Sequence, residues 1–208
     1  MSITELAPAK LNLTLDVGAR RPDGYHEITS VMQSAALYDV VTLETVETGD
    51  IVVECPGTDL PTGPDNLAWK AADVFFQETN IPHTGIFIRL EKKIPSQAGL
   101  GGGSSDAAAV LRGMRRLFGA NVSDEALEAM AARVGSDVPY CVRGGTALAR
   151  GRGERLTALS PLPMCWFVIM KPPVAHSTAV MFRKLDEIAI ANPVSYTHLR
   201  AHETRSNL

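Results

Sequence analysis

The sequence predicts an α+β fold, and two patterns carry that expectation. Segments whose apolar residues recur at every second position stand before and between segments whose apolar residues recur every three or four. The two kinds do not alternate in regular strand–helix–strand units, which argues against a doubly wound parallel sheet. A third observation concerns function as much as fold. Four glycines fall within the five positions 99–103, at the junction of a strand-patterned and a helix-patterned segment.

Residues 9–17 alternate, with Leu11, Leu13, Leu15 and Val17 on one side and Lys10, Asn12, Thr14 and Asp16 on the other. That is the signature of a half-buried strand, and it sets Lys10 and Asn12 on a common face. Arg20 to His26 follows as a turn-rich stretch: in Pro22-Asp23-Gly24 the proline presets φ and the glycine tolerates positive φ. Val40–Val46 and Ile51–Glu54 read as strands joined by a turn at Gly49-Asp50. Leu67–Gln77 reads as a helix, with Leu67, Ala71, Val74 and Phe75 along one face, and Ile86–Ile94 as another strand. The helix expected over 105–118 presents Ala107, Val110, Leu111, Met114, Leu117 and Phe118. Ser123 is placed to cap the next helix, with Asp124 and Glu125 in its first turn and Val122 and Leu127 as a hydrophobic staple. Val138–Val142, Thr146–Ala149 and Trp166–Met170 read as strands. Ser177 is placed to cap a last helix carrying Met181, Leu185 and Ile188.

At 208 residues, with 45% hydrophobic and 21% charged residues, the chain is long enough and apolar enough for a sizeable core. A net charge of −3 supplies no bulk attraction to nucleic acid or an anionic membrane, so an anionic ligand has to be held by local donors. Cys55, Cys141 and Cys165 show no paired spacing. They read as structural thiols, Cys141 and Cys165 as small buried hydrophobes within apolar runs. The N-terminus lacks signal-peptide features, and the longest apolar run, Met164–Met170, is too short to span a bilayer. A cytoplasmic location is expected.

The chemistry concentrates in Pro95-Ser96-Gln97-Ala98-Gly99-Leu100-Gly101-Gly102-Gly103-Ser104-Ser105. Glycines let a backbone approach a phosphate closely and turn several N–H groups toward it. The following helix N-terminus adds orphan donors and the positive end of its dipole. Ser104 and Ser105 add hydroxyls for phosphate oxygens or Mg2+. No Gly-Lys-Ser/Thr follows, so this is not a Walker A loop, and the His-Arg-Asp and Asp-Phe-Gly signatures of protein kinases are absent.

The stretch resembles the second motif of the GHMP kinases, Pro-x-x-x-Gly-Leu-Gly-Ser/Gly-Ser-Ser. Ala7-Pro8-Ala9-Lys10-Leu11-Asn12-Leu13, Arg21-Pro22-Asp23-Gly24-Tyr25-His26 and Gly135-Ser136-Asp137-Val138-Pro139 resemble further landmarks, in order, of the branch acting on a cytidine diphosphate-linked methylerythritol. The resemblance runs from about Glu5 to about Pro193. It implies a ribosomal-protein-S5-like domain over 1–160 and the beginning of a ferredoxin-like domain over 161–193. It also implies ATP with Mg2+ as phosphoryl donor, a small-molecule acceptor, and no nucleic-acid or membrane partner.

Residue by residue, the resemblance makes Asp137 the acceptor of the hydroxyl proton and Lys10 its neighbouring cation. Asn12 would place the acceptor hydroxyl, and Tyr25 and His26 would hold the cytidine end. Asn66 would lie near the adenine, with residues 95–105 wrapping the ATP phosphates. Each has a plainer reading: a solvated Lys10, a turn-capping Asp137, a surface His26, a core Tyr25. Arg150 to Arg155 reads as a solvated basic face, or else as a contact for the diphosphate; Lys171–Thr178 resembles a segment closing over substrate. The third glycine-rich motif of these kinases has no counterpart, and residues 194–208, with His198 and His202, read as a non-native tail. The rivals are another GHMP kinase (of mevalonate, homoserine or a sugar) and a non-catalytic nucleotide- or RNA-binding module.

Overall fold

A computed structural model describes residues 1–191 apart from Asn80, His83 and 172–177. Its core is a six-stranded mixed sheet with helices packed against it. Strand β1 (Ser2–Arg20) and strand β2 (His26–Thr45) form a long antiparallel hairpin. The tight loop between them is the Pro-Asp-Gly turn expected from the sequence. Gly24 has φ 84°, its N–H donates to the Arg21 carbonyl at 3.0 Å, and the Asp23 carboxylate accepts from the Tyr25 N–H.

On its other edge β2 is shared. Residues 40–45 pair with β4 (Ile86–Glu91), and residues 28–33 pair with β5 (Thr146–Gly151), both antiparallel. Strand β3 (Ile51–Glu54) lies parallel to β4, and β6 (Arg155–Ala158) closes the far edge beside β5. β1 shifts register at Pro8/Ala9 and at Asn12/Thr14, either side of Lys10. Such bulges re-aim side chains, and here they flank the residue of greatest chemical interest.

Helices α1 (Leu67–Glu78), α2 (Gly102–Leu117), α3 (Asp124–Val134) and α4 (Val138–Arg143) complete the main body. Their apolar stripes meet the sheet as the periodicity requires. Ala71, Val74 and Phe75 of α1 and Ala107, Val110, Leu111 and Met114 of α2 share one core with Val41, Leu43, Ile86, Ile88 and Leu90. Ser123 caps α3 by accepting the Ala126 N–H. Helix α5 (Thr178–Ala191) follows, and Ser177, assigned its cap, lies outside the described residues. No helix among the described residues is long and apolar enough to cross a membrane.

Four expectations are corrected. Residues 138–142 form helix α4 rather than a strand. Their apolar alternation is overridden by Pro139, which suits a first helical turn but would delete a ladder hydrogen bond inside a sheet. Trp166–Met170 pairs with nothing among the described residues, and Trp166 stands 95% exposed. Cys165 in the same run is exposed rather than buried, whereas Cys55 and Cys141 are buried. Burial pushes the Cys141 thiol up to about 12, which leaves it an inert core residue. Finally, β2 begins at His26, although no element was expected between residues 27 and 39.

Candidate active site

Lys10 is the hub. Its side chain is only 7% exposed, and its ammonium lies 3.2 Å from an Asp137 carboxylate oxygen and 3.4 Å from the Asn12 amide oxygen. A buried cation with one carboxylate beside it is not a solvated surface lysine. Asp137 stands at the N-cap position of α4, yet its side chain makes no capping hydrogen bond. That carboxylate, 32% exposed, pairs with Lys10 on one side and is open to a ligand on the other.

The glycine run divides its labour. Gln97, Gly99 and Gly101 all have positive φ, so the backbone reverses repeatedly between Pro95 and α2. Among the described residues Gln97 is the one non-glycine residue in that region of φ, a sparsely populated state found at ligand clamps. Gly102 and Gly103 already belong to α2, which therefore starts three residues earlier than its periodicity suggested. Its N-cap, Gly101, offers no side-chain acceptor, and the first helical bond formed here is Ser105 N–H to the Gly101 carbonyl. The N–H groups of Gly102, Gly103 and Ser104 thus have no partner within the helix, which is the donor arrangement an oxyanion needs.

Loop and lysine are locked together. The Lys10 N–H donates to the Leu100 carbonyl at 2.9 Å, and the Ser105 hydroxyl to the Pro8 carbonyl at 2.6 Å. A methyl group on Gly101, at φ 67°, would sit 2.6 Å from the Lys10 Cγ. Gly101→Ala is therefore expected to cost about 1–3 kcal/mol in a denaturant melt. It should also lower turnover by displacing the lysine, and an unchanged melt would contradict this close approach.

Ser105 departs from its expected role. It is fully buried and its hydroxyl points at β1, so it fastens the loop to the strand while Ser104 keeps the more open position. Asn66 likewise has local work. It caps α1 by accepting the Ala68 N–H at 2.8 Å, and its amide donates to the Pro61 carbonyl at 2.7 Å. Its neighbour Leu67 reaches Gly103, so this corner borders the loop through an apolar contact.

Further along the hairpin, Tyr25 lies half exposed beneath the Arg152 guanidinium, 4.9 Å from the ring centroid. His26 is buried, stacked on Phe182 at 5.0 Å, with its Nε2 2.8 Å from an Asp186 oxygen. The β5–β6 turn links this aromatic end to the lysine–aspartate pair. A methyl placed on Gly153 would lie 3.7 Å from an Asp137 oxygen and 3.5 Å from Ile28, two residues beyond His26. Of the basic run, Arg155 is occupied by Glu27 at 2.6 Å, while Arg152 turns to Tyr25.

Phe182, Asp186 and Arg152 were not among the assigned site residues. The first two ride a helix whose sequence shows only an apolar stripe, and a contact with His26 across 160 residues leaves no local signal. Lys171–Thr178 lies outside the described residues except for Lys171 and the backbone of Thr178, and the tail with His198 and His202 lies wholly outside them.

Residues 66–145 match the family model described as the GHMP kinases N terminal domain. Among curated proteins, the chain is 46% identical over 185 residues to the 4-diphosphocytidyl-2-C-methyl-D-erythritol kinase of Enterococcus faecalis, covering 89% of this chain and 65% of that one. It is 43% identical over 206 residues to the protein of the same name from Bacillus subtilis, covering 99% and 71%. The chain thus spans about two thirds of the length of these curated relatives. A crystal structure of 4-(cytidine 5'-diphospho)-2C-methyl-D-erythritol kinase superposes with TM-score 0.68 at 40% identity, over 87% of this chain and 63% of that one. The mevalonate kinase of L. major shares the fold alone, with TM-score 0.65 at 16% identity, over 94% and 66%.

Proposed function

The chain belongs to the 4-diphosphocytidyl-2-C-methyl-D-erythritol kinases, a family of GHMP kinases, and from that membership we propose its reaction. It transfers the γ-phosphoryl group of ATP to the 2-hydroxyl of 4-diphosphocytidyl-2-C-methyl-D-erythritol, a step of non-mevalonate isoprenoid precursor synthesis. The observation that carries this reading is the buried Lys10–Asp137 pair, whose lysine is hydrogen-bonded through its own backbone to the glycine loop.

Phosphoryl transfer asks a protein for positioning and charge stabilisation more than for covalent chemistry. Asp137 accepts the proton of the attacking hydroxyl, and Lys10 balances the carboxylate and the charge on the moving phosphoryl group. Asn12, beside Lys10, orients the hydroxyl. The N–H groups at the start of α2, which have no partner within the helix, cradle the polyphosphate. Mg2+ would neutralise that polyphosphate; no group of three or more His, Cys, Asp or Glu fit to hold a metal occurs among the described residues, so Ser104 and the phosphates themselves are its expected oxygens. At the far end Tyr25, Phe182 and Arg152 offer ring faces and a cation to a pyrimidine nucleotide, with His26 and Asp186 as hydrogen-bonding partners. Residues 1–160 carry nucleotide and catalytic pair, and residues 161–193 begin a second domain that contributes the cytidine side.

Melting the protein alone, with Mg·ATP and with cytidine diphosphate tests the reading. Each ligand at about 100 times its dissociation constant adds roughly 2.7 kcal/mol of stability. Shifts with both are expected. A shift with Mg·ATP alone would point to a different acceptor, and a cooperative melt indifferent to both would overturn the kinase reading.

A further inference from the structure

Below the glycine loop lies a cluster that the proposed chemistry does not use. The Lys92 ammonium, just after β4, bridges two buried carboxylates: Asp39 of β2 at 2.5 Å, and Asp106 in the second turn of α2. Asp39 is fully satisfied. Its second oxygen accepts the N–H groups of Lys93 and Ile94, the residues that lead into the loop. Asp106 is not, because its Oδ1 is buried without a hydrogen-bond partner among the described residues.

We propose that Asp39, Lys92 and Asp106 form a buried clamp that positions the loop for nucleotide, tying the chain that enters it to the helix that leaves it. The inference rests on reading this loop as the nucleotide cradle. All three side chains are buried below the loop, so they act through it as positioning residues. The connectivity supports the assignment. Asp39 holds the entry at 93–94, Asp106 holds α2 one turn past Gly102, and one ammonium joins them. Gly102 packs directly on this floor, where a methyl group would lie 3.5 Å from Asp39 and 3.2 Å from Ile94. Asp39 alone would neutralise Lys92, so the second carboxylate is a net cost to folding, with one oxygen desolvated and unpaired. A costly buried charge beside a ligand loop fits stability given up for function.

Burial pushes the Asp106 carboxyl up to about 7, against the pull of Lys92 and with Asp39 adding to the rise. The Cys55 and Cys141 thiols, both held up by burial, also feel the charge of Asp106. The sign follows from linkage. A carboxyl raised from 3.8 to about 7 contributes stability that is complete below 3.8 and is lost as pH rises to about 7. Above pH 7 the ionised Asp106 therefore weakens the fold while it holds Lys92 to α2.

Asp106→Asn keeps the shape and removes that charge. At pH 8 the variant is expected to bind Mg·ATP about tenfold more weakly by calorimetry, a loss of the size of one charge-assisted hydrogen bond. It should melt no lower than the parent, and the amides of residues 95–103 should exchange faster. At pH 6, where the parent's Asp106 is protonated, the two affinities should converge. Unchanged affinity and unchanged exchange would overturn the clamp. A variant that melts lower, with protection lost throughout, would reduce Asp106 to a structural residue and overturn it equally. If the parent itself ignores Mg·ATP, the cradle reading fails instead, and the exchange of 95–103 still decides whether the clamp exists.

Discussion

Replacing Asp137 by Asn is expected to lower turnover by about 10²–10⁴-fold while leaving Mg·ATP affinity intact. The amide preserves the side chain's size but cannot take a proton from the acceptor hydroxyl. The fold should survive, since α4 does not use the Asp137 side chain as a cap and the Lys10–Asp137 pair is partly exposed on the aspartate side. Lys10 itself is buried, so losing the carboxylate costs up to about 3 kcal/mol, below the full cost of a broken buried pair because solvent reaches the aspartate side, and Lys10 retains Asn12. Steady-state rates together with a calorimetric ATP titration check both halves. Near-normal turnover would remove Asp137 from the chemistry, and a parallel loss of ATP binding would mean that the pair holds the loop rather than the proton.

Lys92→Met is expected to have the largest effect on stability, about 3–5 kcal/mol at pH 8. The methionine fills the space of the lysine stem but leaves Asp39 and Asp106 facing each other without the cation between them. Asp39 keeps two backbone donors, whereas Asp106 loses the one hydrogen-bond donor it has among the described residues. Lowering the pH should return part of the loss, because Asp106 can then take up a proton and end the repulsion. Denaturant melts at pH 6 and pH 8 measure the difference. A destabilisation equal at both values would exclude carboxylate repulsion as its cause.

The residues that were legible are those whose job is local. Pro22-Asp23-Gly24 announces its turn, Ser123 its cap, and the stripes of α1 and α2 their buried faces, because each depends on neighbours within a few positions. The glycine run stands out as a candidate anion cradle for the same reason, and the two-residue spacing of Lys10 and Asn12 already put them on one face of β1. Other features stayed hidden. β2 pairs on both edges and buries Ser30 and Asp39 among its apolar residues, so residues 27–39 show no clean alternation. Short helix α4 imitates a strand in its apolar pattern, and only Pro139 argued otherwise.

What the sequence determined by itself was the family and the local turns, caps and stripes, and it singled out the glycine run, Lys10 and Asp137, all through short runs of adjacent residues. The tertiary structure alone decided that these two meet at 3.2 Å across 127 positions, that Ser105 turns inward to hold Pro8, and that Phe182 and Asp186 reach His26. It alone joined Asp39, Lys92 and Asp106 under one loop. The reason is physical. Turns, caps and amphipathic faces are set by backbone geometry over a few residues, whereas a buried charge acquires its partner only when distant elements pack and exclude the water that would otherwise solvate it.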